Sequence, residues 1–509
     1  MQEYLYWGDL HNHNEVGYGE GSLKRSFRLA RNSMDFYAFT PHTWWPDLPE
    51  GDKNVRDKHL AGFKVVRERW DEVTEVLNSF YEEGYFVTIP AWEWHSLRWG
   101  DWCVYFPGSS AEYSYAQSLD DLKQFVSRNG AVIIPHHCAY GRGFRGTDWN
   151  SFDPVYSPAA EIFSEHGDSM EPDSPHGMFG HSMGGSVPSQ SALHQLSSGK
   201  RFGIIASTDD HYGHPGTFGC GLTGLWAADL NREHIWDSLN SKRTYGVTGD
   251  RIGLSFSMGD TFMGGTLPSK SGVPIRISVA GRSALDKIDL IKNGHPIRTW
   301  TEKDFKPEHI ITSRSLYTGR NSGNTDEKLN GDDKLMRIEW GWDGLSEKGV
   351  TRWNISLHSS AAGFSGVEPG FSGGAGSTVL ENTISAGTQH IEISSFTSRR
   401  NDNPVSSVTF LHPARGKLTL QVSGNKEEET FHREISFPES WDDPSGNVIS
   451  TMDYFSSPKI KIHPPLSLEK CTFNLEAPGY QGLNGDWFLL RITQKNGHRA
   501  WSSPIWIND

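Results

Sequence analysis

Along the first 250 residues, short apolar runs alternate with amphipathic stretches, and each run is followed closely by a histidine or a carboxylate. The candidate strands are Tyr4–Leu10, Phe36–Thr40, Phe86–Trp92, Ala131–Pro135, Ala160–Phe163 and Gly203–Ser207. The candidate helices are Ser22–Asn32, Val55–Glu83, Leu119–Asn129 and Ser191–Ser198. In the longest of them, Leu60, Phe63, Val66, Trp70, Val73, Val76, Leu77 and Phe80 recur every three or four residues, the spacing of one helix face. Repeated strand–helix alternation predicts an α/β fold with a parallel sheet. With this many units the expectation is a barrel, whose functional residues gather at the C-terminal ends of the strands.

Those ends carry the chemistry. His11 and His13 follow the first strand; two residues one apart on an extended segment share a side, so both imidazoles reach one point. Asp9 is placed to orient one of them as an outer acceptor. Later runs deliver His42, Glu93, His136 with His137, His166, and finally Asp209 and His211, which share a face while Asp210 points away. A glutamate at the end of a buried strand between Trp92 and Trp94 needs a partner, since an unpaired buried charge is costly. The loop before the first helix offers Glu15 and Glu20, of which Glu20, next to the helix, is preferred. The expected ligands of a metal cluster are therefore His11, His13, Glu20, His42, Glu93, His136, His166, Asp209 and His211, with Glu15 and His137 as substitutes for Glu20 and His136.

After residue 252 the texture changes to alternating short runs separated by Gly, Ser, Asn and Asp, an all-β, sandwich-like pattern. Two domains are expected, 1–252 and 253–509, in a chain of 509 residues. Residues 359–378, rich in Gly and Ser, read as a flexible loop, and Ala500–Ile507 as a terminal strand. Gly167–Gly185 reads as a long surface loop with His176 and His181 solvated. Trp44, Trp45, Trp92, Trp94, Trp99 and Trp102 cluster near His42 and Glu93, as core packing or as an aromatic wall around a pocket.

A net charge of −14 argues against nucleic acid or anionic membrane as a partner. No apolar run approaches the ~20 residues of a membrane span. No signal peptide is visible at Met1–Tyr4, and Cys103, Cys138, Cys220 and Cys471 have no paired spacing, so a reducing, cytoplasmic setting is expected. The expected partner is a small-molecule substrate, aromatic or phosphorylated, with self-association left open.

The order His-x-His, strand–His, strand–Glu, two single-His strands and Asp-x-His resembles the polymerase-and-histidinol-phosphatase (PHP) hydrolases. Arg201–His211, Arg243–Ile252 and Ala500–Trp506 look like a branch of that family carrying an appended C-terminal β region. The resemblance implies a distorted seven-stranded β/α barrel holding two or three divalent transition-metal ions. It implies one ion on His11, His13, Glu93 and Asp209; a second, bridged by Glu93, on His136 and His166; and a third on Glu20, His42 and His211. The family usually has His or Asp where Glu20 stands, after a slightly shorter loop. Mixed imidazole and carboxylate donors suit zinc, manganese or iron.

The activity implied is metal-dependent hydrolysis of a phosphate ester, with water acidified between two ions as the nucleophile. Asp209 would take its proton, His137 would serve as general acid, and Arg142 or Arg145 would grip the phosphate. Two rivals stand beside it. One is hydrolysis of a neutral ester or amide at the same centre; the other is a binding protein that holds metal only structurally.

Overall fold

In a computed structural model the chain is a mixed α/β protein with few helices and many strands. The structure describes residues 3–171, 173–179, 184–269, 273–306, 316–317, 329, 333–341, 350–360, 363–373, 381–398, 405–413, 418–426, 429–436, 447–450, 459–479 and 482–508. The elements that position the candidate site are β1 (Tyr4–Asp9), α1 (Leu23–Ser33), β2 (Phe36–Tyr37), β3 (His42–Trp44), α2 (Lys53–Glu68), α3 (Trp70–Phe80), β4 (Val87–Thr88), β5 (Ala91–Trp94) and β6 (Trp102–Tyr105). They continue as α4 (Leu119–Asn129), β7 (Val132–Pro135), β8 (Ala159–Glu161), β9 (Phe163–Ser164), β10 (Gly167–Asp168), α5 (Ala192–Ser197), β11 (Gly203–Ile205), β12 (Leu222–Ala227), α6 (Arg232–Asn240) and β13 (Thr244–Val247).

Local chemistry sets the helix ends. In α4, the Ser118 hydroxyl accepts from the Asp121 amide at 3.1 Å, and Gly130, in the left-handed region at φ +61°, ends the helix. Leu122, Phe125 and Val126 give it a buried face. The single helix expected over Val55–Glu83 is broken at Arg69, which leaves helical geometry (φ −110°, ψ 12°). Its guanidinium turns to Glu72, with Nε 2.7 Å from Oε2, and the two helices bury separate faces, Phe63 and Val66 against Val73, Val76 and Leu77. Gly62 lets α2 close onto the loop between β1 and α1: a Cβ there would stand 2.8 Å from the Tyr18 ring and 3.0 Å from the Gly17 backbone.

The strands before residue 250 share one interior, built from Leu10, Phe36, Val87, Cys103, Ile134 and Ile205 among others. Their hydrogen bonds run in separate sheets rather than one ring. β1, β2 and β4 pair in parallel and β12 and β13 extend that sheet antiparallel; β3–β5–β6–β7 form a second sheet; β8 and β11 pair in parallel. Two prolines explain part of the break. Pro41 and Pro90 lack an amide hydrogen and separate β2 from β3 and β4 from β5. The all-parallel expectation fails at β5–β6, where the short connection Ser96–Asp101 can only return the chain antiparallel.

The second half holds two sheets packed face to face around Ile338, Trp340, Trp353, Ile355, Phe410 and Leu420. One contains Asp333–Gly341 and Val405–Pro413; the other contains Val350–Ser359, His390–Ser398 and Leu418–Lys426. The Trp340 indole donates across the gap to Ser395 Oγ at 2.7 Å. Within the stretch expected as a flexible loop, Ser365–Gly370 is a strand paired to Val405–Pro413; residues 374–378 fall outside the described set.

Hydrogen bonds cross the boundary expected at residue 252. Arg499–Ser502 pairs with β13, and Trp487–Gln494 lies beside it in the sheet that contains β1. Among the described residues, no helix is long and apolar enough to cross a membrane.

Candidate metal centre

A single backbone bridge between Asn12 and Asp210 organises one side of the site. The Asp209 amide donates to the His11 carbonyl at 2.8 Å and the His13 amide to the Asp210 carbonyl at 2.9 Å. Asn12 and Asp210 point away, so His11, His13, Asp209 and His211 project to one side. The other wall is a ladder: β3–β5–β6 places His42, Glu93 and Cys103 in register on adjacent strands. His136 follows β7, and His166 sits in the turn between β9 and β10.

These side chains converge on two carboxylates. Glu93 Oε2 stands 2.5 Å from His42 Nδ1, 3.5 Å from His13 Nε2 and 3.8 Å from His11 Nε2. Its other oxygen is 2.9 Å from His136 Nε2 and 3.3 Å from His95 Nδ1. Asp209 Oδ1 is 3.0 Å from His13 Nε2 and 3.3 Å from His11 Nε2, while Oδ2 is 3.2 Å from His166 Nε2. His13 and His11 bring their Nε2 atoms to 3.1 Å, as do His42 and His211. His11, His13, His42, His95, His136, His137, Glu93, Asp101 and Asp209 are each at most 3% exposed.

The donor set fits divalent cations on three counts. Two donors on one tetrahedral zinc, each ~2.0–2.1 Å from it, stand ~3.3–3.4 Å apart, close to the spacings found here. Both oxygens of Glu93 and both ring nitrogens of His136 are buried without a well-directed hydrogen bond among the described residues, a costly arrangement for polar atoms. The outward nitrogens, by contrast, are held. His11 Nδ1 meets Glu161 Oε2 at 3.1 Å, His211 Nδ1 meets Glu165 Oε1 at 3.2 Å, His166 Nδ1 meets the Tyr140 hydroxyl at 3.0 Å, and His95 Nδ1 meets Asp101 Oδ2 at 3.1 Å. For His11, His211 and His166 this leaves Nε2 facing the cluster, the usual way a protein orients metal-binding imidazoles.

Electrostatics point the same way. Burial alone would push Glu93 up, but His95, His42 and His136 outweigh it and hold the carboxyl well below its usual range. Asp209 is likewise buried yet held low, by His11, His13 and His166. Burial, with His211 beside it, takes His13 down to about 3, and burial with His13 holds His42 well below the histidine range. At His13 and His42, an imidazole without a proton faces an ionised carboxylate, the protonation state that binds cations; burial disfavours a proton on His11 as well, but Asp209, Cys103 and Glu161 hold it well above the histidine range. Burial disfavours a proton on His211 too, but its bond to Glu165 and the Asp209 charge raise it to about 9.

Several expectations need correction. Glu20 is exposed, and only its amide engages the site, donating to the His211 carbonyl; Glu15 is also exposed and pairs with Arg69. The carboxylate wanted beside His42 is Glu93 itself, and His95 adds a ring, its Nε2 2.9 Å from His42 Nδ1. Arg142 is exposed and reaches Asp148 at 3.0 Å, away from the cluster. Arg145 does face it, but as the partner of Asp101, its Nε 2.6 Å from Oδ2. His137 also turns to Asp101, at 3.3 Å, whereas His136 faces Glu93. Asp9 holds the amides of His11, Thr208 and Gly216 rather than a ring. Trp92 and Trp94 pack into the core, with their indoles bonded to the carbonyls of Glu112 and Ala116, whereas the Trp45 ring lies 5.3 Å from that of His95. His176 is bonded to the Gly497 carbonyl at 3.0 Å, and His181 lies outside the described residues.

His95, Asp101, Cys103, Glu161 and Glu165 were not anticipated. For His95 the signal was present, because Glu93 and His95 are two apart on a strand, as His11 and His13 are. Asp209 and His137 adopt positive φ, +54° and +34°, and such strain of ~1–3 kcal/mol gathers at functional sites.

Gly146 closes the turn that carries Arg145. A Cβ there would lie 1.9 Å from the Tyr140 carbonyl oxygen. Gly146→Ala should cost about 1–3 kcal/mol, read as a lower urea midpoint at unchanged slope. An unchanged midpoint would mean the turn is free to move.

A sequence-family profile described as "Protein of unknown function (DUF3604)" matches residues 206–279, the stretch that opens just before Asp209 and His211. Uncharacterised proteins of Chlamydia pneumoniae, Chlamydia muridarum and Chlamydia trachomatis are similar to this chain. The first is 22% identical over 323 residues, 58% of this chain and 48% of that protein. The others are each 23% identical over 322 residues, 58% of this chain and 49% of theirs. The chain thus spans about half the length of the curated relatives it matches. Among solved structures, a two-domain protein from Bacteroides vulgatus, described as containing a predicted PHP-like metal-dependent phosphoesterase, is similar at a TM-score of 0.30 and 11% identity, covering 86% of this chain and 96% of that one.

Proposed function

We propose that this chain is a metal-dependent hydrolase acting on phosphate esters. The observation that carries the reading is the convergence of buried imidazole nitrogens on Glu93 and Asp209, with the outer nitrogens of His11, His166 and His211 tied to separate partners. His11, His13, Glu93 and Asp209 would hold one ion, Glu93 and His136 a second with His166, and His42, His95 and His211 supply donors for a third. Zinc, manganese or iron bound there would acidify a water and draw off the negative charge that develops on the substrate oxygens.

The chain's own groups do the rest. Asp209, ionised and bonded on both oxygens, is the acceptor for a water proton at the centre of the cluster. Glu161, Glu165 and Tyr140 keep the rings from rotating. Asp101 anchors His95, His137 and Arg145 together, so the Arg145 charge stays at the edge of the site where an anionic substrate would approach.

A second reading, hydrolysis of a neutral ester or amide at the same centre, draws on the engagement of Arg142 with Asp148 and of Arg145 with Asp101. Turnover measured on phosphate mono-, di- and triesters beside aryl ester and amide panels, before and after chelation, separates the two. Phosphate ester hydrolysis that is abolished by chelator and restored by manganese or zinc is the expected result. Turnover confined to esters of carboxylic acids, or indifferent to chelator, would overturn the phosphoesterase reading. In the same assay His95→Ala should lower kcat/KM by about 10–100-fold, and an effect under twofold would remove His95 from the site.

A further inference from the structure

Beside the cluster the described residues enclose a cavity of about 330 Å³, within the ~300–1,000 Å³ of small-molecule sites. Its walls are largely apolar: Trp45, Leu48, Pro49, Leu97 and Phe144. Val55 and Phe144 at this cavity are 54% and 57% exposed, an apolar surface that water solvates poorly.

Side chains that line the cavity touch the histidines of the cluster. The Trp45 ring lies 5.3 Å from His95 and 5.4 Å from His59, and the Arg145 guanidinium caps Trp45 at 5.1 Å. Tyr18 bridges the two regions, with its ring stacked on His42 at 3.8 Å and edge-on to His59 at 4.6 Å. Two polar atoms of this lining, Arg56 Nε and His59 Nδ1, are buried with no hydrogen-bond partner among the described residues, in a wall that also carries Asp52 and Arg145. Unmet polar atoms in an apolar cavity mark where a ligand supplies the missing acceptor.

We infer that this cavity takes the aromatic group of a phosphate monoester, with an acceptor on that ring meeting Arg56 and the phosphate lying at the cluster. This rests on the hydrolase reading above and adds a substrate class to it. Flat walls from Trp45 and Phe144 suit an aryl ring, and the guanidinium of Arg145 sits between ring and cluster. In the reaction water adds to phosphorus, the bond from phosphorus to the aryl oxygen breaks, and the products are inorganic phosphate and a phenol that carries away one proton.

The test compares p-nitrophenyl phosphate with methyl phosphate, using the metal-loaded protein, Phe144→Ala and Arg56→Met. Binding of the non-hydrolysable p-nitrobenzylphosphonate is followed by calorimetry alongside. Circular dichroism and metal content confirm that each variant is folded and loaded. The ratio of kcat/KM for aryl over methyl ester should fall about tenfold in each variant, and phosphonate affinity should weaken by a similar factor. An unchanged ratio, with hydrolysis intact, overturns the cavity assignment and leaves the hydrolase reading standing. If no ester is hydrolysed but the phosphonate binds the parent protein and loses tenfold in the variants, the hydrolase reading falls while the cavity assignment is supported. Absence of phosphonate binding to the loaded parent protein overturns the assignment.

Discussion

On the proposed function, Glu93→Gln is expected to lower kcat/KM for phosphate ester hydrolysis by about 10³-fold and to remove bound metal. Glu93 is the one carboxylate within 4 Å of His11, His13, His42, His95 and His136 among the described residues. An amide keeps its size but replaces one acceptor oxygen by a donor and removes the charge that offsets cations packed among imidazoles. Loss of one preorganised electrostatic group at a reacting centre costs ~10²–10³ in rate, and Glu93 also holds the metal, so the upper end is expected. The contrast is Glu20→Gln. Had Glu20 been a ligand, its loss would be comparable; exposed as it is, the change should stay within about twofold. Steady-state kinetics paired with elemental analysis on both variants checks this. Equal losses in the two would place Glu20 back in the site.

Asp250→Ala destabilises the folded chain by about 3–5 kcal/mol. Asp250 lies just past β13 and pairs with Arg337 of the second half, Oδ1 to Nη1 at 2.8 Å, with both residues buried. Its other oxygen accepts from Gln494 at 2.8 Å and Asn496 at 2.7 Å. Truncation leaves two amide donors unmet and the buried guanidinium with Glu339 alone, its Nε 2.7 Å from Oε1, whereas Asp250→Ala with Arg337→Met should recover part of the loss by removing the half-compensated charge.

Burial opposes ionisation of Asp250, but Arg337 and His498 hold its carboxyl well below the usual range. A depressed carboxyl contributes stability that is present above its unfolded pKa, near ~4, and lost as pH falls through the folded value. Urea midpoints should therefore decline below about pH 4 in the parent chain and decline less in the Asp250→Ala, Arg337→Met pair. A single variant as stable as the parent would mean the two halves are held together elsewhere.

The histidines at the strand ends were legible because strand alternation and strand–helix order are local properties. His11, His13, Asp209 and His211 reach one side through a rule two residues long, and the structure sets nitrogens of the three imidazoles 3.0–3.8 Å from Asp209 Oδ1. Applied once more, the same rule exposes His95. What local pattern could not carry was partnership across the chain. Glu161 and Glu165 matter because His11 and His211 lie opposite them, and Asp101 because Arg145 folds back over it. Glu20 looked placed by proximity to α1, but its side chain turns to solvent. The pairing of Arg499–Ser502 with β13 joins residues some 250 apart, and no periodicity reports such a contact. The break at Arg69 is invisible to a hydrophobic pattern that runs unbroken through it, because α2 and α3 bury faces of the same spacing.

On the proposed function, Glu93 and Asp209 sit among imidazoles in order to hold cations. Anomalous diffraction at the zinc and manganese edges, from crystals of the metal-loaded protein, tests it most directly. Two or more anomalous peaks within bonding distance of Glu93, Asp209 and the surrounding histidine nitrogens are predicted. A loaded crystal with no peak among His11, Glu93 and Asp209, or with metal only at surface histidines, would contradict it.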